Sequence, residues 1–335
     1  MSITITVGII ARNEGKNIEN TLESILNQNF ELRSYEIVVV DGDSTDNTRE
    51  IARKTLEGSD IKYKVINEAD FGFYGHCFAR NLVIDNSDQN SKYIAFTDAD
   101  CIVDKKWIST LYHEIKDTDK TIAGAGGPRL VAKTKNKKEL VINTLLTSQI
   151  ASRGNPAFAK RKTKYAKSIA NYNAIYKKDI LSKFRYDEKL IMSDDNELNF
   201  RLRKSGYNFI NVTEAMVWHH ETSSIMEFAR NMFKYGVNIT NTVKKHRNII
   251  TINVPITITW ILYLILMLPF YYVLGSYVFI PLLLYFLFII SVFIEVSLKT
   301  KTIYSLMTFI LLPLQHISYG LGFIWNLIHK KGPKF

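Results

Sequence analysis

The first hundred residues alternate between short apolar runs and segments in which apolar residues recur at helical spacing. The apolar runs predict four strands, ITVGIIA (5–11), YEIVVV (35–40), KYKVI (62–66) and YIAFT (93–97). Helices are predicted at residues 15–29, from a cap at Ser44 or Thr45 to residue 56, and at 76–86. Strands that alternate with helices and are almost wholly apolar predict a mostly parallel α/β sheet covered on both faces.

The C-terminal quarter of the chain has a different pattern. No Asp, Glu, Lys or Arg occurs from Val254 to Ile294, or from Thr302 to Ile328. Such stretches are long enough to cross a bilayer of roughly 30 Å. The sequence therefore predicts a polar domain at residues 1–247 and a membrane domain at residues 248–335.

Within the membrane domain, spans are predicted at about 254–274 and 277–298, with a turn at Gly275 and Ser276 between them. The third stretch, 302–328, is expected to be broken by Pro313 and by the polar pair Gln315-His316. Two interpretations stay open for this stretch, a third span or a re-entrant or interfacial helix pair.

The charges beside the apolar segments predict orientation. Lys244, Lys245 and Arg247 precede the first segment, which places its start in the cytoplasm. The N-terminus lacks the pattern of a signal peptide. Cys77 and Cys101 have no metal-ligand spacing and are expected to be free thiols in a core. We therefore expect a multi-pass protein of the cell membrane whose polar domain is cytoplasmic.

Composition narrows the functional classes. The 335 residues are 47% hydrophobic, with two cysteines and a formal net charge of +11. This excludes a disordered chain and a disulfide-stabilised secreted module. Residues 133–167 hold ten Lys or Arg and one acid, Glu139. This segment is either a solvated loop or a patch that meets anionic lipid or a lipid-linked phosphate. Because the chain has a membrane tail, lipid and phosphate-bearing substrates are favoured as partners over nucleic acid.

Polar clusters follow three of the predicted strands. These clusters are Arg12-Asn13-Glu14, Asp41 to Asp43, and Asp98-Ala99-Asp100. Because ligands of parallel sheets bind at the carboxyl ends of strands, the clusters predict a site there. Asp98 and Asp100 repel each other unless a cation or a proton is shared. A divalent Mg²⁺ or Mn²⁺ would relieve the repulsion, although a pair of acids in a surface turn is the alternative.

Several segments together resemble a known family. They are VGIIARNE, VVVDGDSTDNT, ARN at 79–81, YIAFTDADC, NYNAIYKKDIL, FRYDEKL and SDDNELNFRLRKSGY. The chain resembles glycosyltransferase family 2 over roughly residues 3–240. These enzymes are inverting, use nucleotide sugars and have the GT-A fold, a Rossmann-like sheet with helices on both faces. A narrower similarity, to the membrane-anchored glucosyltransferases of succinoglycan synthesis, rests on the H-x-x-Y-G-x-G-F pattern at residues 316–323.

The resemblance implies a nucleotide-sugar site. Asp41 would accept a hydrogen bond from the base, with Arg12-Asn13-Glu14 lining the same pocket. The next residue is Gly42, so the expected base contact rests on Asp41; a turn that caps a helix is the alternative role for Asp41. Arg80 would approach the diphosphate, or else form an ion pair in the core. Asp98 would be the acid on the ribose or metal side.

The resemblance also implies a metal site. Asp100 would bind the divalent ion directly, with Asp98 and a histidine beside it. We expect that histidine to be His219, and His220 is nearly as plausible.

The general base is expected at the segment Ser193-Asp194-Asp195-Asn196-Glu197. The family has a Glu-Asp pair here, so Asp195 would be the base, and Asp194 replaces the Glu. Acids in a first helical turn also have a purely structural explanation.

Together these features predict an inverting transferase that extends a saccharide, with a polyprenyl-phosphate-linked acceptor favoured. A processive polysaccharide synthase is the alternative, but no tryptophan here belongs to the expected Q-x-x-R-W element. A dehydrogenase would need the absent G-x-G-x-x-G. A non-enzymatic scaffold or sugar-binding module would have no need for Asp98, Asp100 and Asp195 together. The sequence does not choose the sugar, the nucleotide, the linkage or the oligomeric state.

Overall fold

The computed structural model describes residues 3–151, 164–190, 194–249 and 253–329, apart from the side chains of Arg247 and Asn253. Ser193 and much of the basic segment therefore lie outside the described residues. The chain forms two compact units, residues 1–132 with 155–220 and residues 133–154 with 221–335. The two units are defined by contacts between residues and not by a membrane boundary. The predicted start of the membrane domain at residue 248 therefore stays a prediction.

The N-terminal part of the first unit follows the predicted pattern closely. Its strands and helices are β1 (Ile5–Ala11), α1 (Ile18–Leu26), β2 (Tyr35–Asp41), α2 (Thr48–Leu56), β3 (Lys62–Asn67), α3 (His76–Asn86) and β4 (Tyr93–Asp98). Strands β1 to β4 pair in parallel, in the order β3-β2-β1-β4. The carboxyl ends of all four strands therefore lie along one edge.

The chain then continues through shorter elements. They are β5 (Cys101–Val103), α4 (Trp107–Ile115), β6 (Ile122–Gly126), β7 (Arg129–Val131), α5 (Lys137–Leu146), β8 (Tyr165–Ala166), β9 (Ala174–Lys177), α6 (Lys178–Phe184), α7 (Asp194–Lys204), β10 (Asn208–Asn211) and β11 (Val217–His219). The main sheet has the order β3-β2-β1-β4-β9-β6-β10-β8, and a small sheet has the order β5-β11-β7. Strand β9 is antiparallel to both of its neighbours, so the sheet is mixed in its second half.

Two apolar clusters cover the faces of the main sheet. In β2, Ile37 and Val39 belong to one cluster and Val38 and Val40 to the other, because successive residues of a strand point to opposite faces. The first cluster includes apolar residues of α1, α2 and α4, and the second those of α3, α6 and α7. Burial on both faces explains why these strands are almost wholly apolar.

The second unit is helical. It contains α5 and the four helices α8 (Ile225–Lys245), α9 (Asn253–Leu274), α10 (Ile280–Thr300) and α11 (Thr308–Ile328). Glu295 of α10 accepts hydrogen bonds from the Ser148 hydroxyl at 2.5 Å and from the backbone N–H groups of Gln149 and Ile150 at 2.9 and 3.2 Å. This acid thus has a structural role at the end of the segment that follows α5.

Helices α9 and α10 form an antiparallel hairpin. They are joined by a 3-10 turn at Gly275–Phe279, where the sequence indicated a turn. The Tyr263 hydroxyl donates to the Val278 carbonyl at 2.8 Å, and the rings of Trp260 and Tyr285 lie 4.2 Å apart. Within the described residues, the helical stretches Val254–Thr300 and Ile303–Ile328 are long and apolar enough to cross a membrane.

Helices α8 and α11 approach each other through glycines. A Cβ atom on Gly322 would lie 2.1 Å from the Phe233 carbonyl oxygen, and one on Gly236 would lie 2.0 Å from a carbonyl oxygen of α11. The Asn326 amide donates to the Val237 carbonyl at 2.7 Å in the same contact. Helix α11 continues through Pro313 without the break that was expected there. Neighbouring helices can compensate for the backbone hydrogen bond that a proline removes.

Candidate active site

Residues of all three predicted clusters lie at the carboxyl edge of the main sheet. Ala11 pairs in register with Asp41, and Ile10 pairs with Asp98. The parallel register therefore brings the residues after β1, β2 and β4 together, as the sequence predicted.

Asp41 is fully buried at the end of β2. Its Oδ2 atom accepts from the Ser44 backbone N–H at 3.1 Å and from Arg49 Nε at 3.2 Å. Its Oδ1 atom is buried and has no hydrogen-bond partner among the described residues. One oxygen thus closes the turn, as the alternative role proposed, and a contact of the other with a base stays a prediction.

Asn13 joins the end of β1 to the loop that follows β2. Its backbone has a φ of 57°, a left-handed conformation that asparagine tolerates well. Its backbone N–H donates to the Ser44 hydroxyl at 2.8 Å, and its side-chain oxygen accepts from the Thr45 backbone N–H at 2.9 Å. The prediction that Ser44 or Thr45 caps α2 was wrong, because both bind Asn13 and the helix begins at Thr48.

Glu14 lies close enough to the third cluster, Asp98-Ala99-Asp100, to be affected by its charges. Its carboxylate accepts from the Asn17 amide at 2.7 Å. Burial and then the charge of Asp100 raise the pKa of Glu14 to about 7. Arg12, two residues earlier, is exposed.

Arg80 connects the third cluster to helix α7. The residue is 2% exposed and lies over the Phe96 ring. Its Nη2 atom donates to Asp98 Oδ1 at 3.0 Å, and its Nε atom donates to Asp194 Oδ2. The structure therefore shows the core ion pair that was the alternative for Arg80, and contact with a diphosphate stays a prediction.

The two acids at the start of α7 have different surroundings. Burial, the largest single effect, would raise the pKa of Asp194, but the positive charge of Arg80, the charge of His76 and the hydrogen bonds from Arg80 and Asn171 together hold that pKa below its ordinary value. The Asn171 amide also donates to Asp194, at 2.8 Å. For Asp195, burial and then the negative charge of Asp194 raise the pKa to about 7. The pair thus has one carboxylate held in an ion pair and one carboxyl that titrates near neutral pH.

Strand β11 brings a histidine to the acid cluster. Antiparallel pairing with β5 places His219 opposite Cys101, and His219 Nε2 lies 3.5 Å from Asp100 Oδ1. The neighbouring His220 instead donates its backbone N–H to the Asp100 carbonyl at 3.0 Å. Both cysteines of the chain are buried free thiols, as predicted. Ligand atoms of Asp100, Cys101 and His219 lie within 4.8 Å of one another.

Sequence reasoning missed two polar residues of this region, an asparagine that contacts Asp194 and a buried glutamate. Asn171, on the short turn before β9, reaches Asp194 only through the fold. Glu68 directly follows β3 and is 3% exposed. The rule that drew attention to the other strand ends could have indicated Glu68, because Asn67 and Glu68 also follow a predicted strand.

The sequence matches the model of Glycosyl transferase family 2 over residues 6–185. The chain belongs to this family. Mixed α/β topology and structural similarity show the GT-A fold: the mannosyltransferase PcManGT from Pyrobaculum calidifontis, solved with GDP-Man and Mn²⁺, superposes with a TM-score of 0.58. That similarity has 15% sequence identity and covers 97% of this chain and 88% of the other.

Curated relatives include glycosyltransferases of archaea and bacteria. A dolichyl N-acetyl-α-D-glucosaminyl phosphate 3-β-D-2,3-diacetamido-2,3-dideoxy-β-D-glucuronosyltransferase from Methanococcus voltae is 27% identical over 69% of this chain and 71% of its own length. Glycosyltransferase AglE from Haloferax volcanii is 32% identical over 36% of this chain. Chondroitin synthase from Escherichia coli is 24% identical over 65% of this chain. The matched regions span only 38% and 34% of the lengths of the latter two relatives.

Proposed function

We propose that this protein is a metal-dependent, inverting glycosyltransferase that moves a sugar from a nucleoside-diphosphate sugar to an acceptor hydroxyl. The observation that carries the proposal is the unequal acid pair at the start of α7. Asp194 is held by Arg80, whereas the pKa of Asp195 is about 7. A general base that works near neutral pH needs a pKa in this range.

Asp195 is the base in this proposal. The acceptor O–H gives its proton to the Asp195 carboxylate while its oxygen bonds to the anomeric carbon of the sugar. The bond from that carbon to the diphosphate oxygen breaks, and the nucleoside diphosphate leaves with the electron pair. A single displacement inverts the anomeric centre.

The donor would bind along the carboxyl edge of the sheet. Asp41 and the segment Arg12-Asn13-Glu14 would hold the nucleoside, and Asp98 would lie beside the ribose. Arg80 Nη1 has no hydrogen-bond partner among the described residues and is the nitrogen that a diphosphate oxygen would reach. The GDP-Man complex of the Pyrobaculum mannosyltransferase supports this class of donor.

Asp100, His219 and Asp98 would hold the divalent ion, Mg²⁺ or Mn²⁺. Asp100 and His219 present an oxygen and a nitrogen 3.5 Å apart, which suits joint binding of one such ion. Cys101 does not fit the ligand set, because a thiol is a soft ligand and Mg²⁺ and Mn²⁺ prefer oxygen ligands. A bound ion would neutralise negative charge on the departing diphosphate.

The acceptor is proposed to be a lipid-linked saccharide at the cytoplasmic face of the cell membrane. Helices α9 and α10 expose apolar side chains such as Leu268, Val273 and Leu298, each at least 70% exposed, as lipid-facing residues would be. Lysines at the start of α5 are exposed and could meet anionic headgroups. The name of the Methanococcus relative, with its dolichyl phosphate-linked acceptor, supports this class of substrate.

The test uses the full-length protein in vesicles that contain lipid extract and Mn²⁺. A panel of radiolabelled nucleotide sugars should include one whose label passes into the lipid-soluble fraction as a single added residue. Asp195→Asn is the matched control, since it keeps the shape of the side chain and removes the proton acceptor. A long polymer as product would instead support the processive alternative, and a wild-type protein that binds none of the donors would contradict the proposal.

The experiment should not use a chain that stops near Arg247. Such a truncation removes α11 and exposes the face of α8 around Gly236 that packs closely against it. A loss of transfer would then report misfolding as readily as the loss of a membrane anchor.

A further inference from the structure

Glu68 is a buried acid that has no role in the transfer reaction proposed above. It is 3% exposed and begins a short 3-10 helix, Glu68–Phe71, directly after β3. Asn67, the last residue of β3, pairs in register with Asp41. Glu68 therefore stands one strand away from the acid that is expected to contact the base.

The carboxyl group of Glu68 is poorly satisfied. Its Oε2 atom has a long contact of 3.5 Å with the Gly75 backbone N–H. Its Oε1 atom is buried and has no hydrogen-bond partner among the described residues. An unsatisfied buried carboxyl oxygen is costly, and a bound ligand would supply the partner that the described residues do not.

The absence of a side chain at Gly42 opens the space that Glu68 uses. A Cβ atom on Gly42 would lie 3.3 Å from Glu68 Oε2 and 3.3 Å from Arg12 Cβ. Asp41, the preceding residue, has its own unpartnered buried oxygen. Two carboxyl groups with unused oxygens thus lie at neighbouring strand ends, and the missing side chain of Gly42 lets Glu68 approach the end of β2.

The carboxyl groups of Asp41 and Glu68 differ in the hydrogen bonds that they can form. Asp41 forms an ion pair with Arg49, and its second oxygen can accept a hydrogen bond. Burial raises the pKa of Glu68 to about 7, and of the charged groups that act on it, Arg12 opposes this effect and Asp41 adds to it. Near neutral pH, Glu68 is therefore substantially a carboxylic acid, which can donate a hydrogen bond as well as accept one.

We propose that Glu68 is a second nucleobase contact, which with Asp41 selects donors whose base places a ring N–H beside a carbonyl. This inference rests on the proposed function and deepens it. Uracil and guanine have that edge: the N–H donates to Asp41, and the carbonyl accepts from Glu68. Cytosine and adenine place an unprotonated ring nitrogen beside an amino group, so the Asp41 contact would bring two acceptors together without a proton between them.

The test measures binding of UDP, GDP, CDP and ADP to the full-length protein with Mn²⁺. UDP or GDP should bind at least about tenfold more tightly than CDP and ADP, because a mismatched pair leaves buried polar groups without partners. Glu68→Ala should weaken the preferred nucleotide about tenfold. Glu68→Gln should stay within about threefold of wild type, because an amide also donates and accepts. Asp70 is an exposed acid in the same turn, so Asp70→Ala is the matched control and should leave the nucleotide affinities unchanged.

Two further results decide the matter if Glu68→Ala does not fold. The affinity of the wild type for its preferred nucleotide should fall as pH rises through about 7, because Glu68 then loses the proton that it donates. Glu68→Gln should lack this fall, which separates Glu68 from other groups that titrate nearby, such as Glu14. An equal fall in both proteins, or a preference for CDP or ADP, would overturn the inference. If no nucleotide bound to the wild type, the proposed function would fail as well, whereas binding that ignores Glu68 would remove only this inference.

Discussion

Turnover at saturating donor should fall on the acid side of pH 7, because the proposed base must be ionised to accept a proton. Burial and the charge of Asp194 raise the pKa of Asp195 to about 7. A group with this pKa is about one tenth ionised at pH 6 and about one hundredth ionised at pH 5, and turnover should fall in the same proportion. An unperturbed aspartate, with a pKa of about 3.9, would leave turnover almost constant over this range.

Two variants separate Asp195 from other titrating groups. Asp195→Asn should lower turnover by at least about 10² at pH 8 while the nucleotide still binds. Asp194→Asn removes a negative charge beside Asp195, so the acid limb of its pH profile should move to lower pH. The amide of this variant can keep a hydrogen bond in the place of the carboxylate that Asn171 and Arg80 now contact.

The assay is label transfer by the full-length protein in vesicles between pH 5 and pH 8.5. Donor affinity and thermal unfolding are measured at each pH, so that loss of binding or of folding is not read as loss of the base. Turnover that stays almost constant down to pH 5, or an Asp195→Asn protein with most of its turnover, would refute the assignment of Asp195. In the second case Asp194 would be tested next.

Three further predictions concern the metal, the buried ion pair and the helix contact. Asp100→Asn, like a chelator added to the wild type, should abolish transfer and weaken nucleotide binding in Mn²⁺; unchanged turnover with the chelator would contradict the metal site. Arg80→Met should cost about 3–5 kcal/mol in chemical denaturation, because the buried Asp194 carboxylate and the partly exposed Asp98 carboxylate lose their partner, and Arg80→Lys should cost less. Gly322→Ala should destabilise the helical unit by about 1–3 kcal/mol, because its Cβ would press on the Phe233 carbonyl, while nucleotide binding persists. The exposed neighbour Leu321→Ala is its control, and equal melting temperatures for the two proteins would contradict the close contact.

Local patterns along the chain were enough to predict the first half of the sheet. Strand β1 begins and ends at the predicted residues, and so does helix α3. Apolar runs and helical spacing are properties of neighbouring residues, so the sequence shows them directly. The same reasoning indicated the acids at the ends of β2 and β4, because parallel strands bring their carboxyl ends to one edge.

The antiparallel direction of β9 could not be predicted in this way. Its residues, AIYK, are apolar enough for a strand, but a short run carries no information about direction. Direction depends on the route by which the chain returns from the segment before β9. That route is decided by the packing of the whole unit.

The connections within the site also required the tertiary structure. Arg80 and Asp194 are 114 residues apart in sequence, and their pairing decides which of the two acids at the start of α7 is held as a carboxylate. The pairing of β11 with β5, which no local pattern reveals, places His219 rather than His220 beside the Asp100 carboxylate. Residue types and their order along the strands were therefore readable from the sequence. The pKa values and the partners of the charged groups were decided by burial and by contacts between distant segments, which only the folded chain brings about.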